Sequence, residues 1–230
     1  MLEKYADFFK QLHQEKSLEC ELLVTLNGCT DSTLGVVSKL QQRYPMIRVI
    51  DLKNAGKGLA IIAGFKDALT RDNDLIGFVD ADMATRPQQF YELIQQIGNN
   101  DGIIASRYMK ESTIFPPRPW IKEWGRILVY NPIIRLLFGM LYVDFQCGAK
   151  LFKRLVIEKI VSELTVQQWA FDIELLYRCK QHRFTIQEAP TVWYDQDDSK
   201  FTIRAGIQML NALFKLRFSG HRNLSKSDDS

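Results

Sequence analysis

Gly77-Phe78-Val79-Asp80-Ala81-Asp82-Met83-Ala84-Thr85-Arg86-Pro87 is the stretch from which the rest of the chain reads. An apolar run from Leu75 to Val79 stops abruptly at two acids that flank one small residue. A short apolar run closed by carboxylates predicts a buried strand that delivers its last side chains to the carboxyl edge of a sheet. In the loop beyond it, Asp80 and Asp82 can both reach one hard divalent cation. Such a cation takes oxygen ligands and often bridges protein carboxylates to substrate phosphates. The plainer reading is a strand end followed by an Asp helix cap, with Pro87 in the first turn of the next helix. The neighbouring sequence favours the first.

Strand-like and helix-like segments alternate on either side. Leu2, Tyr5, Phe9 and Leu12 fall on one helical face. Glu21 to Leu26 predicts a strand, and Asn27 to Ser32 a polar turn that caps a helix. Ile47 to Leu52 is a second strand running into Lys53-Asn54-Ala55-Gly56-Lys57-Gly58, then a helix to Arg71. After Leu75 to Val79 come a helix from Pro87 and a strand at Gly102 to Ser106. This alternation predicts an α/β domain, with a mostly parallel central sheet and helices on both faces. Ligands on such sheets bind beyond the carboxyl ends of the strands. The turns carrying Asp31, Lys57, Asp80 with Asp82, and Arg107 are therefore expected to converge on one cleft.

Past Arg107 the pattern changes. Phe115 to Pro119 is a stiff loop, and Trp120 to Met140 an aromatic-rich helical stretch interrupted at Pro132. Asp144 to Lys150 is a second polar turn inside apolar sequence, a helix around Ala170 to Gln181 carries Asp172 and Glu174, and Phe184 to Trp193 is extended. Ile203, Ile207, Leu210 and Phe214 form an apolar stripe on a last helix, among Lys200, Arg204, Lys215 and Arg217. The tail from Ser219 is polar and expected to be disordered. The predicted organisation is a domain over 1–200, an amphipathic helix over 201–218 and a polar tail over 219–230.

Composition bounds the function. With 230 residues, 46% of them hydrophobic, the chain suits one globular domain with a full core. A net charge of +3 is too small for a nucleic-acid footprint. Cys20, Cys29, Cys147 and Cys179 are scattered without a C-x-x-C pair, as reduced thiols in a cytosol-facing protein are. The three histidines are far apart, which argues against a His-based metal site. No secretory-signal pattern opens the chain. Ile127 to Val143 is interrupted by Asn131, Pro132 and Arg135 and falls short of a spanning helix, so it reads as a buried or membrane-surface helix.

Taken in order, these motifs resemble the family 2 glycosyltransferases, and within them the polyprenyl-phosphate (dolichyl-phosphate) sugar transferases. Asn27-Gly28-Cys29-Thr30-Asp31-Ser32 resembles the family's N-D-G-S-T-D turn, and Asn54-Ala55-Gly56-Lys57-Gly58 its N-x-G-K-G loop. Asp80 to Pro87 resembles the D-A-D-x-A-T-x-P metal motif, and Ser106-Arg107-Tyr108 the S-R turn. Asp144 to Phe152 is similar to D-T-Q-C-G-F-K-L-F, and Trp169 to Leu176 to W-A-F-D-V-E-L-L. These last two lie closest to the dolichyl-phosphate glucosyltransferase branch, which uses UDP-glucose.

The resemblance implies a glycosyltransferase A fold, Mg²⁺ or Mn²⁺ at Asp80 and Asp82, and inverting sugar transfer to a polyprenyl phosphate. UDP-glucose is the preferred donor, with GDP-mannose as the alternative. The enzyme would be peripheral, on the cytoplasmic face of a membrane. Asp82, Arg107 and Asp172 are the candidate catalytic residues; Asp31, Lys57, Gly58, Asp80, Gln146 and Lys150 are the candidate nucleotide-sugar contacts. A cation would neutralise the leaving diphosphate, and Arg107 and Lys57 would add fixed positive charge. Gly56 and Gly58 would let backbone approach the nucleotide. A phosphate acceptor is already an anion, so Asp172 is read as positioning a sugar hydroxyl or the acceptor before acting as a base.

Plainer roles stand beside these. Lys57 and Arg107 are also ordinary solvated charges, and Asp31 a simple helix cap. Cys147 reads as a small packing residue more than a nucleophile, and Trp193 as core. Asp172 and Glu174 fit a solvated helix face, although Phe171 and Leu175 beside them argue for burial. The last helix either lies on an anionic leaflet or covers the sheet.

One departure stands out. The family opens with a strand and a P-x-Y-N-E turn, and nothing like it precedes Leu2; the opening helix resembles the one that should follow that strand. In this fold that strand is central. Its loss is expected to leave a neighbour's backbone unpaired and a hole in the core, and the natural frame is expected to start upstream of Met1. The competing reading is a non-catalytic scaffold at the membrane, against which the intact Asp80, Asp82, Lys57 and Arg107 argue.

Overall fold

Helix α1 (Leu2–Lys16) forms because Tyr5, Ala6, Phe9 and Leu12 fall on one face, which is buried. It ends at Ser17, whose left-handed backbone (φ 54°) lets its N–H close onto His13. This computed structural model describes residues 1–117, 130–168, 170–195 and 211–218.

Strands β1 (Leu22–Asn27) and β2 (Ile47–Leu52) pair in parallel, Leu22 opposite Ile47 through Asn27 opposite Leu52, with α2 (Thr33–Arg43) as the crossover. Helix α3 (Lys57–Ala68) leads to β3 (Leu75–Val79), and α4 (Pro87–Gln96) opens with Pro87 in its first turn and leads to β4 (Gly102–Ser106). The apolar runs bounded by polar turns thus fold as their sequence predicts. Next come β5 (Thr113–Phe115), α5 (Asn131–Phe138), β6 (Ala149–Lys153), α6 (Arg154–Ile160) and α7 (Phe171–Gln181). After them follow β7 (Ile186–Pro190), β8 (Val192–Tyr194) and a helix over 211–218, here α8.

The main sheet has the order β3-β6-β4-β7. Strands β4 and β7 are parallel, as are β5 and β8, but β6 is antiparallel to both β3 and β4. The sequence reading took Asp144 to Lys150 as a turn and missed this strand. Its lysine hides the apolar pattern, yet Lys150 is fully buried within the strand.

The sheet is split. Strand β1 pairs only with β2 and β3 only with β6, so no hydrogen-bonded ladder joins the two groups among the described residues. Strands β4 and β6 are almost wholly buried, whereas β1 and β3 are largely half-buried.

At the far end, Leu213 and Leu216 of α8 pack with Ile104, Ile134 and Phe138. Phe214, a member of the stripe read from sequence as lying on a leaflet or covering the sheet, is 46% exposed. Its outward turn follows from helical spacing, since residues 213 and 216 take the inner face. The other stripe positions Ile203, Ile207 and Leu210, with Lys200, Arg204, Trp169, the tail from Ser219 and the Trp120 end of the aromatic stretch, lie outside the described residues. Pro132 sits in the first turn of α5.

Candidate active site

Asp80 is the first residue beyond β3. Its N–H donates to the Gly148 carbonyl (2.8 Å), which ties the end of β3 to the loop entering β6. The Asp80 carboxylate lies directly over Gly148, where any Cβ would overlap it. Gly148 is therefore required for the site, a role that sequence reading did not give it.

Lys57, at the start of α3, reaches both acids that face it. Its Nζ is 3.1 Å from Asp80 Oδ1 and 3.0 Å from Asp172 Oδ2. Asp172, in the first turn of α7, accepts a second cation on its other oxygen, from Lys150 Nζ at 2.6 Å. Lys150 also donates to the Cys147 carbonyl at 2.6 Å. The result is a row of alternating charge, Asp80–Lys57–Asp172–Lys150, whose side-chain exposure falls from 32% through 18% and 2% to 0%. Only the Asp80 and Lys57 end is open to solvent. Lys150, expected to contact the nucleotide sugar, is sealed behind Asp172. Asp172, expected to touch substrate, has both carboxylate oxygens engaged by lysines.

Electrostatics follow the row. Burial opposes the charged form of Asp172, but Lys150 and Lys57 overcome it and hold the carboxyl below the usual range. Burial likewise opposes the Lys57 cation, and Asp172 and Asp80 more than restore it. At Asp80 the balance reverses. Burial raises its pKa, the Asp172 charge adds to that, and Lys57 only partly compensates.

Local packing sets this geometry. The Gly56 N–H donates to Asn27 Oδ1 (2.6 Å), locking the start of α3 to the end of β1. The Gly58 N–H donates to the Gln167 carbonyl (2.9 Å), and a Cβ on Gly58 would overlap the Val166 carbonyl. The close approach that this glycine allows is thus to its own chain. Glu174 fixes that partner segment by accepting from the Thr165 N–H (2.9 Å) and Val166 N–H (2.7 Å). Glu174 was read as a possible surface residue, and it is fully buried.

A second ion pair stands beside the row. Arg107, just beyond β4, forks onto Asp144 with Nε to Oδ2 at 2.6 Å and Nη2 to Oδ1 at 2.8 Å. Its guanidinium also lies 5.0 Å from the Trp193 ring. Burial disfavours the Asp144 carboxylate, and Arg107 more than offsets it, so the acid is held below its ordinary range. Glu188 accepts the Val143 and Asp144 N–H groups and sets the loop. The Gln146 N–H donates to Asp144 Oδ1 at 3.2 Å. Tyr130, just ahead of α5, feels both clusters: burial, then the charges of Asp172 and Asp144, push its phenol far up. Sequence gave no sign of it inside an aromatic-rich stretch. Burial pushes the Cys147 thiol up to about 12, so it is no nucleophile.

Asp82 is exposed; its Oδ1 accepts the Ala84 N–H at 2.9 Å, and Met83 between them has φ 65°. It does not cap α4. Asp31 is exposed and accepts the Thr33 N–H (3.0 Å) and hydroxyl (2.5 Å), so it holds the turn into α2. No group of three or more His, Cys, Asp and Glu gathers among the described residues. Two carboxylates one residue apart, Asp80 partly exposed and Asp82 exposed, still suit a hard cation that completes its shell with water and phosphate oxygens.

The site is thus an α/β sheet with paired acids beyond one strand and lysines packed behind Asp80. Residues 5–161 match the model of glycosyl transferase family 2, and the chain belongs to that family. It is 32% identical over 200 residues to a dolichyl-phosphate beta-glucosyltransferase of Trichomonas vaginalis, covering 82% of this chain and 57% of that protein. It is also 32% identical over 209 residues to a dolichyl-phosphate beta-glucosyltransferase of Drosophila melanogaster, covering 85% and 62%. The chain thus spans about six-tenths of the length of these relatives. A solved structure of glucosyl-3-phosphoglycerate synthase from Mycobacterium tuberculosis, in complex with Mn²⁺, UDP-glucose and phosphoglyceric acid, superposes with a TM-score of 0.61. The match is at 14% identity and covers 94% of this chain and 74% of that one. The fold is the glycosyltransferase A fold.

Proposed function

We propose that the chain is the catalytic domain of a metal-dependent inverting hexosyltransferase that moves glucose from UDP-glucose to a polyprenyl phosphate. The observation that carries this reading is the Asp80–Lys57–Asp172–Lys150 row, because it presents one carboxylate and one cation to the cleft and neutralises the rest inside. The names of the curated relatives support the lipid-phosphate acceptor and glucose. The Mn²⁺ and UDP-glucose of the solved neighbour support the donor.

Asp80 and Asp82 would hold Mg²⁺ or Mn²⁺, which supplies charge neutralisation for the departing nucleoside diphosphate. Lys57 borders the same space and adds a fixed cation beside the diphosphate. Asp172, pinned by two lysines, acts through Lys57: it holds the ammonium in place and charged, and is a positioning residue. Lys150 does the same for Asp172. Arg107, with two donors committed to Asp144, has its guanidinium fixed at the mouth of β4 for the acceptor phosphate. The acceptor is an anion and no general base is required.

The lipid acceptor calls for a membrane-facing surface. Among the described residues no helix is long and apolar enough to cross a membrane. Leu136 and Leu141 are 87% and 80% exposed, and the rings of Phe214 and Phe218 stack on the outer side of α8, beside Lys215. These residues would rest on the cytoplasmic face of an anionic leaflet.

The test is calorimetric titration of UDP-glucose into the chain with Mn²⁺ and with chelator. Binding that needs Mn²⁺, exceeds that of GDP-mannose, and is lost in Asp80→Asn supports the assignment. Equal binding with chelator, or preference for GDP-mannose, overturns the metal or the donor respectively.

A further inference from the structure

Arg107 and Asp144 form a fork, and part of what holds that fork comes from the neighbouring strand. Asp144 sits in the irregular segment 140–148 between α5 and β6. Backbone groups there lack helix or strand ladder partners and must be satisfied in another way. Glu188, on β7, does this for two of them. Its Oε1 lies 3.0 Å from the Val143 and Asp144 nitrogens, and its Oε2 2.9 Å from that of Val143. Bonds from N–H groups to a carboxylate are stronger than those between neutral groups. Asn131, buried at the start of α5, donates from Nδ2 to the Val143 carbonyl at 3.0 Å. The Val143–Asp144 peptide is thus gripped at both its oxygen and its N–H.

That peptide carries the Asp144 side chain, whose two oxygens are both engaged. Oδ2 accepts the Arg107 N–H at 3.0 Å and its Nε–H at 2.6 Å, and Oδ1 accepts from Arg107 Nη2 at 2.8 Å and the Gln146 N–H at 3.2 Å. The contacts close a ring. Strands β4 and β7 pair with Ile104 opposite Glu188 and Ser106 opposite Pro190, and Arg107 follows Ser106. The path runs from Arg107 to Asp144, through the Val143–Asp144 peptide to Glu188, and back across the ladder to β4. By itself the Arg107–Asp144 pair would follow any shift of its loop; the ring ties that loop to the strand beside Arg107. Side-chain exposure is 11% at Arg107 and 2% at Asp144, so the guanidinium is the side of this pair that meets solvent. Arg107 Nη1 donates to none of the described residues.

We propose that Glu188 is a positioning residue for Arg107, acting through the Val143–Asp144 peptide, and that it thereby sets affinity for the acceptor phosphate and not for the nucleotide sugar. The inference rests on the assignment of Arg107 to that phosphate under the proposed function. The division between the two substrates follows from where the hydrogen bonds go. Those of Glu188 all reach the Val143–Asp144 segment. Those that fix Asp80 and Lys57, on the donor side, go to Gly148, to each other and to Asp172. Glu188→Gln keeps the side chain's shape and one acceptor oxygen but turns an amide NH₂ toward a backbone donor. It loosens the peptide and, through Asp144, the guanidinium fork. A planar fork meets a phosphate with two parallel bonds only while its orientation is held.

Two readouts separate the positioning from the acceptor assignment. The first needs no ligand: exchange of the Arg107 Nε–H proton by nuclear magnetic resonance, its signal identified by loss in Arg107→Lys. Glu188→Gln is expected to speed that exchange about tenfold. The second is calorimetric titration of geranyl phosphate, a short prenyl phosphate, and separately of UDP-glucose, both with Mn²⁺. Glu188→Gln is expected to weaken geranyl phosphate about tenfold and to leave UDP-glucose within about twofold. In an Arg107→Lys background, which keeps a cation on Asp144 but no fork, Glu188→Gln is expected to change phosphate affinity by less than about twofold. Asn131→Ala, which releases the same peptide at its carbonyl, is expected to give the same split more weakly, and decides the matter where Glu188→Gln lowers the unfolding midpoint. Equal loss of both ligands, or a tenfold loss that persists in the Arg107→Lys background, would overturn the proposal, as would Nε–H exchange indifferent to Glu188. A guanidinium that responds to Glu188 in a chain that binds no geranyl phosphate would strike out the acceptor role of Arg107, and the affinity claim with it, and leave Glu188 as the positioner of Arg107.

Discussion

Gly148 and Lys150 are the two positions where a single side chain decides the site. Gly148→Ala places a methyl where the Asp80 carboxylate lies. Overpacking of this kind costs about 1–3 kcal/mol, and the cheaper escape is for Asp80 to swing away. Thermal unfolding should show a modest loss while Mn²⁺ affinity falls at least tenfold; unchanged affinity would mean that Asp80 is not a ligand. Lys150→Met leaves the buried Asp172 with Lys57 alone. Removing one partner of a buried pair costs about 3–5 kcal/mol, and denaturant titration should show a loss of that order. Ionisation has a direction at each acid. The folded-state pKa values of Asp144 and Asp172 lie below the ordinary range, so the stability they contribute is complete above an unfolded pKa of about 3.9 and is lost as pH falls through the folded values. Asp80 is shifted the other way and takes its proton first. On acidification, Mn²⁺ binding should therefore weaken while near-ultraviolet circular dichroism still reports an intact fold. Simultaneous loss of both signals would contradict the shift at Asp80.

Among the elements, the bounds of β3 and β4 were legible because each is an apolar run stopped by polar or turn-forming residues, and those of β2 from its apolar positions around Arg48 and Asp51. Strand β6 was not, since a buried Lys150 breaks the apolar pattern and only the tertiary partner Asp172 makes its burial tolerable. The start of α3 shows the same limit. Gly58 reads as a ligand-facing glycine, yet its space is taken by Val166 and Phe171. Gly58→Ala is expected to disturb the junction of α3 with the 165–168 segment and to lower the unfolding midpoint even without ligand. A variant as stable as the parent, with impaired nucleotide binding, would restore the ligand-facing role. On α8, Phe214 and Phe218 are stacked outward, so replacing both with Ser is expected to reduce co-sedimentation with anionic vesicles without lowering stability. Unchanged vesicle binding would remove that face from the membrane surface.

Across the whole molecule, the sequence carried the paired acids, the Lys57 loop and the Arg107 turn to one region, and the fold brings Asp80, Lys57 and Asp172 into contact. It could not rank them by depth. Depth divides the residues that can meet a ligand from those that hold them, placing Asp80, Asp82 and Lys57 in the first group and Asp172 and Lys150 in the second. Asp31 is exposed and holds its own turn, and a residue that satisfies its own turn looks the same in sequence as one that meets a base. The most direct measurement is transfer of labelled glucose from UDP-glucose to a polyprenyl phosphate in detergent with Mn²⁺. The parent chain and its Asp82→Asn variant would be compared. Transfer by the parent chain, abolished by chelator and by Asp82→Asn, is the predicted result. No transfer, or transfer indifferent to Mn²⁺ and to Asp82, would contradict the assignment of this site as a metal-dependent glucosyltransferase centre.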